Sequence, residues 1–151
     1  MSITTVGVVG AGTMGNGIAQ VCATAGLSVT MVDVSDTALK RGMEAIGRNL
    51  ERLVAKDKLS AAARDAALAR ITPSLDTAAF AGAGLVVEAA TENLELKLKI
   101  LRQIAAQVGP DAVIATNTTF SRAGVEHLRQ QFGWERIYHA PIMPQTWLRR
   151  R

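Results

Sequence analysis

Three glycines and one acid are the residues of this chain best placed to do chemistry. Gly10, Gly12 and Gly15 lie in the run VGVVGAGTMGNGIAQ, and Asp33 ends the run VTMVD. The glycines form G-x-G-x-x-G after a short apolar run (Val6, Val8, Val9) and at the head of an amphipathic stretch. With an acid about 20 residues on, this is the context in which such a turn cradles a dinucleotide. The three glycines serve different ends. Gly10 makes the tight turn, Gly12 lets the backbone approach a pyrophosphate, and Gly15 lets helix and strand pack closely. The first helical turn, through Thr13 and Met14, aims free N–H groups and the positive end of the helix dipole at that anion. Asp33 can accept both ribose hydroxyls and would repel a 2′-phosphate, which favours NAD over NADP. The alternative is a glycine turn that serves packing alone. No later stretch has the character of a flavin site, and no metal ligands are expected.

Strand-like runs alternate with helical patterns around this turn, so the expected fold is α/β, a Rossmann-type doubly wound parallel sheet. Strands are predicted at 4–9, 28–33, 71–74, 85–90 and 112–116, with a sixth at 136–139. Helices are predicted at 13–25, 36–56, 60–70, 94–108 and 121–132. The helices over about 36–70 read as a hairpin inserted after strand two, with Leu39, Met43, Ile46, Leu50, Leu53 and Val54 at helical spacing. In the helix at 94–108 the expected apolar face is Leu94, Leu98, Leu101, Ala105 and Val108.

At 151 residues, with 48% hydrophobic and 20% charged, the chain has the composition of one globular domain with a proper core. The net charge of +4 is unevenly placed: residues 1–120 carry 11 Lys/Arg and 11 Asp/Glu, while 121–151 carry 6 Arg and 2 acids. A neutral body with a basic tip is a poor nucleic-acid footprint, so no nucleic-acid partner is expected. No run approaches the roughly 20 apolar residues of a membrane span, and the early first strand leaves no room for a signal peptide. The single cysteine, Cys22, reads as a small buried residue in a reducing cytoplasm.

Three runs together resemble the NAD-binding domain of the 3-hydroxyacyl-CoA dehydrogenase family, close to bacterial 3-hydroxybutyryl-CoA dehydrogenases. They are VGVVGAGTMGNGIAQVCATAG, VVEAATENLELKLKIL (86–101) and VIATNT (113–118). The resemblance implies an NAD-dependent exchange of hydride with C3 of a 3-hydroxyacyl-CoA in fatty acid metabolism. It places Glu92 and Lys97 beside the NAD, where otherwise they would be a dipole-favoured acid at a helix start and a solvated lysine. Asn117 falls just past strand five, where ligands of open α/β sheets gather. Thr119 stands where the family has a serine touching substrate and cofactor, and it keeps the hydroxyl while adding a methyl. The hairpin is where family members meet CoA, which makes Lys40 and Arg41, with Arg48 and Arg52, candidates for phosphate or adenine contacts. The alternative for each is the solvated face of an amphipathic helix.

Beyond Thr119 the runs diverge from the family pattern. The family carries its base in an H-F-F-N-P-like motif, and this chain reads Tyr138-His139-Ala140-Pro141-Ile142-Met143-Pro144. His139 is the candidate base, with an ordinary half-buried or exposed histidine as the alternative. Residues 145–151 contain no acid to orient it. The expected organisation is therefore an NAD-binding domain at 1–120 and a divergent segment at 121–151. The family's C-terminal helical domain, with its acyl pocket and dimer contacts, is expected to be absent from this chain. A translated frame change is one expectation for the tail. The rival functional expectation is a non-catalytic NAD(H)-binding module, completed by a second copy or a partner chain.

Overall fold

The computed structural model describes residues 3–116 and the backbone of residues 137–139. The elements run β1 (Thr5–Val9), α1 (Thr13–Thr24), β2 (Ser28–Val32), α2 (Asp36–Ala55), α3 (Ala61–Ala69), β3 (Ile71–Ser74), a short 3-10 turn (Thr77–Phe80), β4 (Leu85–Glu88), α4 (Leu94–Gln107), β5 (Val113–Thr116) and β6 (Ile137–His139). All five strand pairings are parallel, in the order β3-β2-β1-β4-β5-β6. This is the doubly wound order, with its reversal between β1 and β4. The helix expected at 121–132 lies outside the described residues.

Alternation along the strands builds two apolar layers. Val6, Val8, Val29 and Met31 meet Ala19 and Ala23 of α1 and Leu39, Ile46 and Leu50 of α2 on one face. Val9, Val32, Val86 and Ile114 meet Phe80 and the α4 residues Leu101 and Ile104 on the other. Strands covered on both faces read as near-continuous apolar runs, as these do. Phe80 is fully buried against Gly7, where an added Cβ would lie 2.5 Å from its ring.

The helix starts are capped as their sequences dictate. Ser35 accepts from Ala38 N at 3.2 Å, Ser60 from Ala63 N at 3.1 Å and Asn93 from Leu96 N at 3.0 Å. The hairpin of α2 and α3 follows β2 as expected, and Arg64 of α3 ties it together through Glu51 of α2. One expectation changes. The buried residues of α4 are Lys97, Leu101 and Ile104, with Val108 just beyond, whereas Leu94 is exposed. Leu98 and Ala105 pack against the core as expected, and Lys97 is held inward by its pairing with buried Glu88. Among the described residues no helix is long and apolar enough to cross a membrane, and no group of three His, Cys, Asp or Glu side chains converges as a metal site would.

Candidate functional site

β1 delivers the chain into the glycine turn at the carboxyl edge of the sheet. Gly10 has φ +98°, and a Cβ there would lie 2.8 Å from the Ala89 carbonyl oxygen, so both conformation and space demand glycine. Gly15 faces Gly10 across the turn, where an added Cβ would lie 1.7 Å from the Gly10 carbonyl oxygen. Gly12 is the N-cap of α1 and meets the opposite circumstance: a Cβ there would have nothing within 4 Å. It supplies no side chain to the first turn, which leaves the N–H groups there for an external acceptor. Thr13 and Met14, both exposed, flank that opening. From behind, Gly42 of α2 presses so close that its Cβ would lie 2.9 Å from the Ala11 carbonyl oxygen.

Asp33 locks the turn to the end of β2. Its Oδ2 accepts from Ala11 N at 2.9 Å and its Oδ1 from Ser35 N at 3.0 Å. A carboxylate has about four acceptor positions, so two backbone bonds fix its plane and still leave capacity for hydroxyl donors. It lines a cleft of about 500 Å³ shared with Gly10, Val34, Leu75, Thr91 and Ile100. Val34 is 98% exposed and Leu75 is 58% exposed, so two apolar side chains stand in the mouth of the cleft with nothing covering them. The arrangement offers N–H donors for a pyrophosphate, a carboxylate for a ribose and apolar walls for a flat ring. A dinucleotide fits that set.

The remaining predicted residues are placed unevenly. Glu92 is exposed in the loop between β4 and α4, next to the cleft residues Ala90 and Thr91. Lys97 is not the solvated lysine of the alternative: it is 1% exposed, with its ammonium paired to fully buried Glu88 and bonded to Thr116 Oγ1 at 3.2 Å. Asn117 and Thr119 fall outside the described residues. The backbone of His139 ends β6 in register with Thr116, at the same carboxyl edge as the turn. Lys40 is exposed and pairs with Asp36 at 2.6 Å, which holds its ammonium pKa above the usual lysine value. It lines a second groove of about 510 Å³ between α2 and β3, which shares Leu75 with the cleft. Arg41 is exposed on the same helix. Sequence reasoning passed over Gly42, Glu88 and Thr116. The readable signal was an acid on the buried side of a strand, followed by a lysine in step with the apolar residues of the next helix.

Residues 5–135 match the family described as 3-hydroxyacyl-CoA dehydrogenase, NAD binding domain. The chain belongs to this family. Residues 5–135 are accordingly an NAD-binding domain of the 3-hydroxyacyl-CoA dehydrogenase family, and the family match continues past Thr119. The chain is 44% identical over 114 residues to a 3-hydroxybutyryl-CoA dehydrogenase of Bradyrhizobium diazoefficiens, covering 76% of this chain and 39% of that protein. It is 40% identical over 148 residues to the 3-hydroxyadipyl-CoA dehydrogenase of Escherichia coli, covering 95% of this chain and 31% of that protein. Among solved structures, the (S)-3-hydroxybutyryl-CoA dehydrogenase of Ralstonia eutropha superposes with a TM-score of 0.76 at 52% identity, over 78% of this chain and 42% of that one. The chain thus spans less than half the length of these 3-hydroxyacyl-CoA dehydrogenase relatives.

Proposed function

We propose that the chain provides the NAD half of an enzyme that interconverts a 3-hydroxyacyl-CoA and its 3-ketoacyl-CoA. The observation that carries the reading is the doubly anchored Asp33 carboxylate beside the open face of Gly12. Asp33 takes the ribose hydroxyls, and the N–H groups at Thr13, Met14 and Gly15 take the pyrophosphate. Bound there, NAD would supply an acceptor for the hydride that leaves C3 of the 3-hydroxyacyl group. Glu92 and Asn117 are proposed to flank the cofactor, Thr119 to hold the substrate oxygen through its hydroxyl, and His139 to accept the hydroxyl proton. The position of β6 beside β5 supports that role for His139, because it brings residue 139 to the edge where the cleft opens.

Lys40 and Arg41 are proposed to meet phosphates of the acyl-CoA from the hairpin. Their support is exposure on α2, close to a groove that adjoins the cleft. A reducing cytoplasm is the proposed setting for the half-buried Cys22 thiol. A second reading is an NAD(H)-binding module that does not turn over alone, with a second copy or a partner chain supplying the acyl wall. It draws on the coverage, since the relatives are more than twice as long as the stretch matched. Positioning of reactants can account for about 7–11 kcal/mol of a barrier, so an acyl group without its wall would react slowly.

The two readings separate in one trace: concentrated protein with NADH, then acetoacetyl-CoA, followed by nicotinamide fluorescence. Enhancement that decays on addition of the acyl-CoA is expected for the enzyme. Enhancement without decay would overturn the enzyme reading for this chain and leave the module.

A further inference from the structure

We infer that Gly42 of α2 is a positioning residue for the pyrophosphate. It sets the peptide between Ala11 and Gly12 so that the Gly12 N–H is aimed out of the turn as a donor to the bound anion. This builds on the reading of the turn and cleft as the NAD site. α2 buries one stripe, Leu39, Gly42, Ile46 and Leu50. Three of the four are large and apolar. The fourth is a glycine, which weakens a helix interior relative to alanine and fills no space. What it gives is close approach to another backbone. A Cβ at residue 42 would lie 2.9 Å from the Ala11 carbonyl oxygen, 3.2 Å from Ala11 Cβ and 3.4 Å from Met31 Cε. The end of a methionine can move aside, but the carbonyl oxygen can do so only by turning its peptide. Ala11 is buried, and among the described residues no N–H donates to its carbonyl. The surface of α2 therefore backs that oxygen in place of a hydrogen bond.

The effect is felt at the other end of the same peptide. The described peptide bonds are all trans, and in a trans peptide the N–H points opposite to the C=O. With the Ala11 oxygen against α2, the Gly12 N–H points away from that helix. Among the described residues no acceptor meets it. The peptide before Ala11 is held separately, because Ala11 N donates to Asp33 Oδ2. The other oxygen of Asp33 accepts from the N–H of Ser35, the N-cap of α2. One carboxylate thus fixes the first peptide and the start of α2, and α2 returns through Gly42 to fix the second peptide. A methyl at residue 42 would turn the second and leave the first. The loss should fall on the diphosphate and spare the adenosine beside Asp33.

That division gives a test that a general loss of packing would not mimic. Affinities for adenosine and for ADP are measured by equilibrium dialysis, alongside melting, for the parent chain, Gly42→Ala and Ile46→Val. Ile46 lies one turn further along the same buried stripe. In Gly42→Ala the advantage of ADP over adenosine should fall about tenfold, the equivalent of one charge-assisted hydrogen bond, with adenosine within about twofold of the parent. Ile46→Val should lower the melting point and keep the parent's ADP-to-adenosine ratio. A folded Gly42→Ala that keeps that ratio, or that loses both ligands equally, overturns the inference. So does an Ile46→Val chain whose ratio falls as far. Should Gly42→Ala not fold, Ala11→Gly takes its place, since it removes the Cβ that α2 approaches and frees the peptide to turn. The same selective loss is expected there, and an unchanged ratio overturns the inference. A parent chain that binds ADP no tighter than adenosine overturns the reading of the turn itself, and the role of Gly42 with it.

Discussion

Alanine placed at Gly12 and at Gly15 should separate binding from folding, although the two sites are three residues apart in one turn. At Gly15 the new methyl would lie 1.7 Å from the Gly10 carbonyl oxygen, and real Cβ contacts essentially never fall under 3.0 Å. The start of α1 must therefore back away by about 1.3 Å. Backbone faces backbone, so no side chain can rotate aside, and the cost belongs at the upper end of overpacking, about 3 kcal/mol. For a domain of this size that lowers the melting temperature by about 10 °C. At Gly12 the new methyl meets nothing within 4 Å. The weaker N-cap and the reduced freedom of the unfolded chain offset each other to within about 1 kcal/mol. NADH should nonetheless bind at least about tenfold more weakly, the equivalent of one charge-assisted hydrogen bond lost to the pyrophosphate. Circular-dichroism melting and NADH titration on both variants decide the matter. A Gly15→Ala chain that melts like the parent would contradict the backbone clash, and a Gly12→Ala chain that binds NADH unchanged would move the pyrophosphate elsewhere.

Further changes probe neighbouring parts of the fold. Asp33→Ala should weaken NADH by about tenfold or more, narrow the preference over NADPH, and lower the melting point of the free chain, because Ala11 N and Ser35 N lose their acceptor. Unchanged NADH affinity would remove Asp33 from the ribose. Phe80→Ala should cost about 3–5 kcal/mol in urea unfolding; the cost of Gly7→Ala should shrink in that background, since Phe80 is what its Cβ would strike. Simple additivity of the two changes would contradict the described contact. Burial raises the Cys22 thiol above its ordinary value of 9.0. Its reaction with a disulfide reagent at pH 8 should be slower in the folded chain than in urea, and should still be climbing with pH where the unfolded thiol has levelled off. Equal rates in the two states would place the thiol in water.

The glycine turn and Asp33 were legible in the sequence because their demands are local: each glycine answers a clash or a conformation within its own strand, turn and helix. The order of elements was legible for a related reason, since period-2 and period-3.6 patterns switch cleanly at Gly10, Ser35 and Asn93. The boundaries moved by only a residue or two at most elements, as for β4, which ends at Glu88 and not at Ala90. What could not be read was Lys97. Counting apolar residues turns a lysine outward, and the acid that draws it inward sits nine residues earlier, in another element. Phe80 was equally hidden. Its partner is the absence of a side chain at Gly7, which no periodicity records.

Pro73 has a consequence for how copies of the chain meet one another. β3 stands at one end of the strand order. The carbonyls of Arg70 and Ser74 accept from Val29 N and Asp33 N, so these positions face β2. By alternation Pro73 faces away, with a nitrogen that carries no hydrogen. A strand arriving from another molecule would find no donor at the middle of that rim, and growth of the sheet into a ribbon of many chains is blocked there. Four residues thus finish the sheet on one flank and, in the same stroke, keep concentrated protein from templating its own fibres.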